Sequence, residues 1–493
     1  MNTTSGLLSF DAHSGHFLPD PGPHNRDPRV DLWLAALIQE EHRHILQMRA
    51  TQAIDPLSEA IYFRLRELYW TVTRMIGLGH LHDGSRPAKS KRRRRPPLPA
   101  DAGLKPVLPL SGSNRLFIDA TPTHRNGGQT GIQRVVREVA RRAVKTGFAL
   151  PVIVENGALI SWFDGPGSSD PIVFAPGDRF VLLDACWDLV DEYAPIIDRL
   201  RAAGGSIVSV VHDLIPLTHP LAVSPGLQAA FRDWFERVVM DSEEILCISR
   251  SAATDFLVHV SNRESFAAEE RRIGWWRLGA DFTDEAPGPV SAAAQAAFAD
   301  DKPCFLSVGT LEPRKAYPVA LDAFEALWRN GVDARYLIVG RPGWQSEALA
   351  HRIRSHPELG RRLFWLDVAG DADLRFCYRR AHALVSPSIL EGFGLPLVEA
   401  GRHGLPVIAA DIPVFRETGG HGVHYVPPLD PQGLAERVAA LCREPVERGA
   451  FAPTTWDQAT ENLFRLLQGG DAWQPSSASD ASPQWGRFGG ETP

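Results

Sequence analysis

The sequence predicts an α/β protein of two Rossmann-like halves facing each other across a cleft, preceded by an α-helical N-terminal extension. Three observations carry this reading. From Leu116 onward, short apolar runs alternate with helical patterns, the rhythm of a parallel sheet covered on both faces. The rhythm restarts after about residue 300 with a second set of runs. In both sets glycine-rich loops follow strand ends, where ligands of open α/β sheets bind.

The chain of 493 residues is long enough for two or three domains with large cores. Its 44% hydrophobic and 23% charged content is ordinary for a globular protein, and a net charge of −7 gives no support for nucleic acid as a partner. The cysteines, Cys186, Cys247, Cys304, Cys377 and Cys442, show no Cys-x-x-Cys spacing. That predicts free thiols in a reducing cytosol, with neither disulfides nor a zinc site. The opening MNTTSGLLSFDAHSG lacks the basic and apolar regions of a signal peptide, and no run of about 18 apolar residues predicts a membrane span. Attachment to a membrane surface stays open.

Residues 1–83 form the helical extension. The first 28, rich in Gly, Pro, His and Asp, read as irregular. A helix from Asp31 to about Arg49 carries Trp33, Leu34, Leu37, Ile38, Ile45 and Met48 on a broad apolar side. In a second helix Leu57, Ile61, Leu65, Leu68, Val72 and Ile76 recur at helical spacing. The pair reads as a hairpin packed on itself or on the catalytic halves; the alternative is an interfacial helix, with Tyr62, Tyr69, Trp70, Arg64, Arg66 and Arg74 around the stripe. Residues 84–111 read as a linker containing KSKRRRRPPLP. Such a charge run is most often solvated, with attraction to anionic lipid as the functional alternative and nucleic acid a weaker third.

The first Rossmann-like half spans 112–298, with strands at 116–119, 150–154, 180–184, 207–211 and 245–249 and helical patterns at 131–146 and 226–241. The second spans 299–452, with strands at 304–308, 336–340, 363–366, 383–386 and 407–410. Trp275 and Trp276, before the second half, read as packing between the two. One last helix at 453–468 carries Trp456, Ala459, Leu463 and Leu466 on a stripe, and the Gly-, Ser- and Pro-rich 469–493 reads as a disordered tail.

Residues 383–410 hold the densest signal. An apolar strand ends at Ser386-Pro387; Glu391 and Gly392-Phe393-Gly394 follow. Pro396 suits the first position of a helix, Glu399 lies one turn into it, and Gly404 closes it. A strand, glycine loop and helix N-terminus point unpaired N–H groups and a positive dipole end into one crevice, a place for an anion such as phosphate. The two carboxylates would repel a diphosphate unless they face sugar hydroxyls. The same design recurs elsewhere. Gly127, Gly128 and Gly131 follow the strand at 116–119, either as a flexible turn or as a close approach to a ligand. Gly309 follows the strand at 304–308, with Arg314-Lys315 before the next helix; two cations there suit a diphosphate leaving group. His212 and Asp213 stand where the strand at 207–211 meets the cleft; a lone His is often structural, and Asp213 could cap a turn.

The Glu391-x7-Glu399 spacing inside SPSILEGFGLPLVEA closely resembles the signature of the family-four (group 1) retaining glycosyltransferases, whose fold is GT-B. TGIQRVVREV after the first strand is similar to the opening of many bacterial members, and the resemblance covers roughly 112–468. It implies that Glu391 and the Gly392-Phe393-Gly394 loop meet the donor sugar and diphosphate, and that Glu399 holds the ribose. It assigns Lys315 and Arg314 to the diphosphate, with Gly309 beneath, and His212 to the transferred sugar; the departing diphosphate, not His212, takes the acceptor proton. It places Gly340 and Val368 in the loops around the base, partly through backbone groups, and Gly127, Gly128 and Gly131 near the diphosphate and acceptor. The last helix would cross back onto the first half. The chain departs from the pattern at Ala316, where Gly or Asn is usual and a small residue is expected to be harmless. It departs also at Thr310, where some members carry a second Arg, which gives Arg314 more weight.

The resemblance therefore implies a metal-independent hexosyltransferase without a cofactor. It would move a hexose or deoxyhexose, mannose or rhamnose favoured, from a nucleotide-sugar to a glycan or lipid-linked acceptor in surface polysaccharide or lipopolysaccharide synthesis. GDP-mannose is the favoured donor, although side chains alone carry no preference among GDP, UDP, TDP and ADP. Such an enzyme would work in the cytoplasm, at the inner face of the cell membrane if the basic linker meets anionic lipid. The alternative is a catalytically silent, glycosyltransferase-like binding or assembly subunit.

Overall fold

The computed structural model describes residues 8–11, 16–19, 28–51, 114–126, 130–163, 170–261, 263, 271–282, 289–443, 453–468 and 484–488. The second helical stripe at 57–76, the basic linker, Gly127 and Gly128 lie outside the described residues. Within the first 28 residues, read as irregular, β1 (Leu8–Asp11) pairs antiparallel with β2 (His16–Pro19). Helix α1 (Pro28–Thr51) follows.

The first half is one sheet built from β3 (Leu116–Asp119), β4 (Leu150–Glu155), β5 (Ala158–Ser161), β6 (Arg179–Leu182), β7 (Ser206–Val211), β8 (Glu244–Cys247) and β9 (Arg271–Trp275). The second holds β10 (Cys304–Val308), β11 (Arg335–Val339), β12 (Leu363–Leu366), β13 (Ala383–Ser386), β14 (Val407–Ala410) and β15 (Val423–Val426). A last strand, β16 (Gln484–Phe488), adds to the first sheet. The spatial orders are β16-β9-β8-β7-β6-β3-β4-β5 and β12-β11-β10-β13-β14-β15. All pairs are parallel except the two edges β5 and β16. The central strands are buried along their length, which is why they read as continuous apolar runs.

Strand order reverses between β3 and β6 in the first sheet and between β10 and β13 in the second. Loops leaving strands on either side of such a reversal diverge and open a crevice, the place where α/β sheets bind ligands. The segment Thr121–Asn126, which follows β3, flanks the first crevice. Gly309 and the segment Pro387–Glu391 flank the second.

Four expectations need amending. Asn156-Gly157, both with positive φ, turn β4 into the antiparallel edge β5, the residue pair this tight hairpin favours. Strands β9 and β15 carry polar residues within RRIGW and VHYV and so escaped the apolar-run criterion. Within the stretch read as a disordered tail, Gln484–Phe488 pairs with Arg271–Trp275. Finally, Ala316 has a left-handed backbone, φ 50°, at the end of the 3-10 turn Pro313–Lys315. The Cβ is accepted in a fully buried site, but the conformation costs about 1–2 kcal/mol for an L-residue, so this departure is not free.

Helix α2 (Gly131–Thr146) and the last helix, α7 (Trp456–Leu467), pack together, with Phe148 stacked on Phe464 at 4.1 Å and Arg142 paired with Asp457 at 2.6 Å. Trp456 is pinned by the Asp281 carboxylate, and Gly279 leaves no room for a Cβ against its backbone, 2.4 Å away. Trp276 and Trp456 are buried in a core that draws residues from both sheets. The chain after the second half is thus fastened to the first.

Helix α1 does the same from another side. Val30 and Leu34 are buried against Ile215 and Ala222 of the first half and Ala316, Val319 and Ile389 of the second. Glu41 accepts a hydrogen bond at 2.7 Å from the Ala348 N–H, at the start of helix α5 (Glu347–Arg354). These contacts pack α1 on both halves, whereas the interfacial reading concerns the second stripe, outside the described residues. All five cysteines are free thiols. Among the described residues, no helix is long and apolar enough to cross a membrane.

Candidate active site

The site begins with two loops at the reversal point of the second sheet. After β10 the chain turns through Gly309, whose φ of 144° and lack of a side chain bring Lys315 close; a Cβ there would lie 3.4 Å from Lys315 Cε. The hydroxyl of Tyr317, the first residue of helix α4 (Tyr317–Arg329), donates to the Gly309 carbonyl at 2.7 Å, and a Cβ on Gly340 would lie 1.8 Å from the same oxygen. Gly309 and Gly340 therefore pack backbone on backbone. After β13, Ser386 to Glu391 runs alongside, and Ile389 N–H donates to the Arg314 carbonyl at 2.9 Å. The two loops are stitched together.

This stitching brings Glu391 between the two cations. Lys315 Nζ lies 2.5 Å from Glu391 Oε1, and Arg314 Nη1 lies 3.2 Å from Oε2. Arg314 Nε also bonds Glu312 at 2.9 Å. All three side chains are largely buried. Burial pushes the Glu391 carboxyl up, but Lys315 and Arg314 outweigh it and hold the group below the usual carboxylate range. Burial lowers Lys315, with Glu391 opposing. Burial also disfavours the Arg314 cation, but Glu312, Glu391 and Asp213 more than restore it.

The Gly392-Phe393-Gly394 loop does two jobs. Gly394, with φ 89°, starts helix α6 (Leu395–Arg402), and a Cβ on it would meet the Phe415 ring at 2.6 Å. Phe393 is buried in the core, so its ring anchors the loop and only its backbone is placed near the loops of the site. Gly392 sits against the His212 carbonyl of the other half, and Ser249 Oγ donates to the Gly392 carbonyl at 2.6 Å. Ser249 caps helix α3 (Arg250–Val260), whose first N–H groups also bond Glu417 of the second half.

His212 lies at the end of β7 and is buried. Its Nε2 is 2.8 Å from the Leu183 carbonyl, which makes that nitrogen the donor and leaves Nδ1 as an acceptor with no partner among the described residues. Burial lowers its pKa to about 4, the Leu183 carbonyl opposing, so the ring is neutral at physiological pH. Asp213 accepts from the Ile215 N–H at 3.0 Å, which closes the turn after it. Two further carboxyls end neighbouring strands of the first sheet. Asp119, raised to about 7 by burial and by Asp184, accepts from Thr121 and Tyr193; Asp184, raised by burial, accepts from the Thr123 N–H.

Glu399 is buried one turn into α6. Arg134 Nη1 pairs with its Oε1, and the Tyr378 hydroxyl donates to Oε2 at 2.7 Å. Arg134 belongs to α2 of the first half and also reaches Asp371 at 2.9 Å, while its guanidinium lies over the Phe282 ring at 4.3 Å. Burial disfavours its charge, but Glu399 and Asp371 hold it fully cationic. Gly131 brings α2 close: a Cβ there would meet Leu395 of α6 at 3.3 Å. The N-termini of α2 and α6 thus converge from opposite halves.

Of the residues marked by sequence, Lys315, Arg314, Glu391, Gly309 and Gly392 with His212 gather in one place. Gly131 and Glu399 stand together beside it. Gly340 supports Gly309. Val368, after β12, is 84% exposed. Arg134, Tyr378, Ser249 and Glu417 were not marked. Only Arg134 had a signal, one turn into a helix that follows a glycine loop. Among the described residues no three His, Cys, Asp or Glu side chains form a metal-ligand cluster.

The family profile described as glycosyl transferases group 1 matches residues 291–455. The chain is 34% identical over 379 residues to the serotype-specific mannosyltransferase WbdA of Escherichia coli, a match covering 72% of this chain and 45% of that protein. It is 32% identical over 309 residues to the phosphatidyl-myo-inositol mannosyltransferase of Mycobacterium leprae (strain TN), covering 58% of this chain and 75% of that one. The chain thus spans less than half the length of its Escherichia coli relative. Among solved structures, sucrose-phosphate synthase from Thermosynechococcus elongatus aligns with a TM-score of 0.51 over 72% of this chain and 98% of that one, at 16% identity, a likeness of fold alone.

Proposed function

This chain belongs to the group 1 glycosyltransferases and has the GT-B fold, and we propose that it transfers a hexose, mannose favoured, from a nucleotide-diphosphate sugar to a glycan or lipid-linked acceptor with retention. The observation that carries this reading is the buried Lys315–Glu391–Arg314 group at the reversal point of the second sheet, facing His212 across the cleft. Two fixed cations over a glycine turn suit the charge that develops on a departing diphosphate. Glu391, ionised and held from behind by those cations, can accept hydrogen bonds from sugar hydroxyls. His212, neutral with Nδ1 open, can accept one more. Neither is poised to act as a strong base at the reacting carbon, and the leaving diphosphate is left to take the acceptor proton. Mannose and GDP-mannose are favoured because both relatives described above are mannosyltransferases. The acceptor class follows the same relatives. Work at the cytoplasmic face of the cell membrane would suit a nucleotide-sugar donor and a lipid-linked acceptor.

The test is a thermal-shift panel with GDP, UDP, TDP, ADP and their sugar conjugates, followed by a transfer assay with the responding donor on a mannosylated acceptor. A ligand at about a hundred times its Kd adds about 2.7 kcal/mol to the folded state, a shift easily read. A response to GDP and GDP-mannose with transfer supports the reading. Binding without transfer to any acceptor would favour a silent binding subunit, and no binding at all would reject the donor site.

A further inference from the structure

We propose that Arg134 is a positioning residue for the donor: it sets the Glu399 carboxylate and ties donor binding to contact between the two halves. This rests on the reading of Glu399 as the carboxylate that holds the ribose. The guanidinium is fixed on three sides, by Glu399, by Asp371 and by the face of Phe282. Such a planar fork held by two carboxylates has a single orientation. Glu399 is held in turn, with Oε1 on Arg134 and Oε2 on Tyr378. A carboxylate offers about four acceptor positions. Two are used to orient it, and the remaining pair is available to adjacent hydroxyls of a ribose. Without Arg134 the buried carboxylate loses its cation and one of its two fixed bonds.

The position of Arg134 gives the arrangement a second consequence. It stands on α2 of the first half, whereas Glu399 and Asp371 belong to the second, 265 and 237 residues away in sequence. The group completing the ribose contact therefore comes from the half opposite the nucleotide, and only when the halves touch at Gly131 and Leu395 is it in place. Donor affinity is then highest in the closed arrangement, in which His212 and Gly392 also meet.

The experiment measures Kd for GDP, UDP, TDP and ADP by calorimetry on the wild type. The tightest of these is then titrated into Arg134→Ala, Arg134→Lys and Glu399→Ala at a temperature well below each melting point, with donor and acceptor KM measured alongside. Loss of a hydrogen bond to a charged group predicts a rise of about tenfold or more in nucleotide Kd and donor KM for Arg134→Ala. Acceptor KM stays within about twofold, and Arg134→Lys, which keeps the charge but not the fork, falls between. A lower melting point with unchanged Kd and donor KM would reduce Arg134 to a structural tie and overturn the proposal. If Glu399→Ala itself binds as tightly as wild type, the ribose reading fails and the proposal with it; if only Glu399→Ala loses binding, the proposal alone fails.

Discussion

A Cβ placed on Gly392 would stand 2.2 Å from the carbonyl oxygen of His212. The glycine loop of the second half and the strand end of the first thus touch backbone to backbone, and no side chain is available to swing aside. Gly392→Ala must move one half against the other. Overpacking of this kind costs about 1–3 kcal/mol. A displacement near 1 Å at a reacting centre costs about a hundredfold in rate. The expected variant is folded, modestly destabilised in urea, and about a hundredfold lower in kcat/KM. Wild-type turnover would show that the contact is not needed for transfer.

Glu391 answers for two buried cations. Removing it leaves Lys315 and Arg314 without their shared carboxylate, and breaking a buried pair costs about 3–5 kcal/mol. Glu391→Ala is expected to lose turnover and melt earlier, and added pyrophosphate should restore much of the lost stability by supplying an anion to the same cations. Lys315→Ala should lose turnover as well but gain far less from pyrophosphate, having one cation fewer. Melting curves with and without pyrophosphate separate the two. Full activity in either variant would remove these residues from the site.

His212 has a pKa of about 4 in the fold against about 6.5 in an unfolded chain. The unfolded state therefore binds the proton more tightly, so its stabilising contribution is complete above pH 6.5 and is lost as pH falls through 4. At 1.36 kcal/mol per pH unit the loss amounts to about 3 kcal/mol. Unfolding free energies measured from pH 7 to pH 4 should fall with this added slope in the wild type and lack it in His212→Gln. A pH-rate profile should show no limb near pH 6.5 from this ring. The same slope in both proteins would mean that His212 titrates normally.

The two-sheet layout was legible because central parallel strands are apolar on both faces and leave continuous runs, as at Arg335–Val339. Edge strands follow other rules. β5 had a readable cue in Asn156-Gly157, whereas β9, β15 and β16 mix polar or charged and aromatic residues and leave no apolar run. The Lys315, Glu391 and Gly392 loops were legible because each lies within a few residues of a strand end. Arg134 was not, because its partner is 265 residues away and only the docking of the halves brings them together. The cost of Ala316 was also hidden, since residue size was visible in the sequence and a left-handed backbone was not.

Helix α1 offers the last prediction. Leu34 is fully buried where both halves meet it, touching a cluster that includes Ala316, next to Lys315, and Ile389, two residues before Glu391. Leu34→Ala should cost about 2–5 kcal/mol, the usual price of a truncated core leucine. It should also weaken nucleotide binding, because both site loops lose the same support. Leu32, 70% exposed on the same helix, is the control, and Leu32→Ala should change neither. Glu41 adds a pH term, since burial and Glu347 raise it to about 7. A carboxyl raised in the fold contributes stability that is complete below its unfolded pKa of about 4.5 and lost as pH rises through 7. Glu41→Gln should remove the loss that accrues between about pH 4.5 and pH 7. Should Leu34→Ala melt earlier yet bind nucleotide as the wild type does, α1 holds the halves together without shaping the site. If it melts and binds as the wild type, the helix is not docked there in solution.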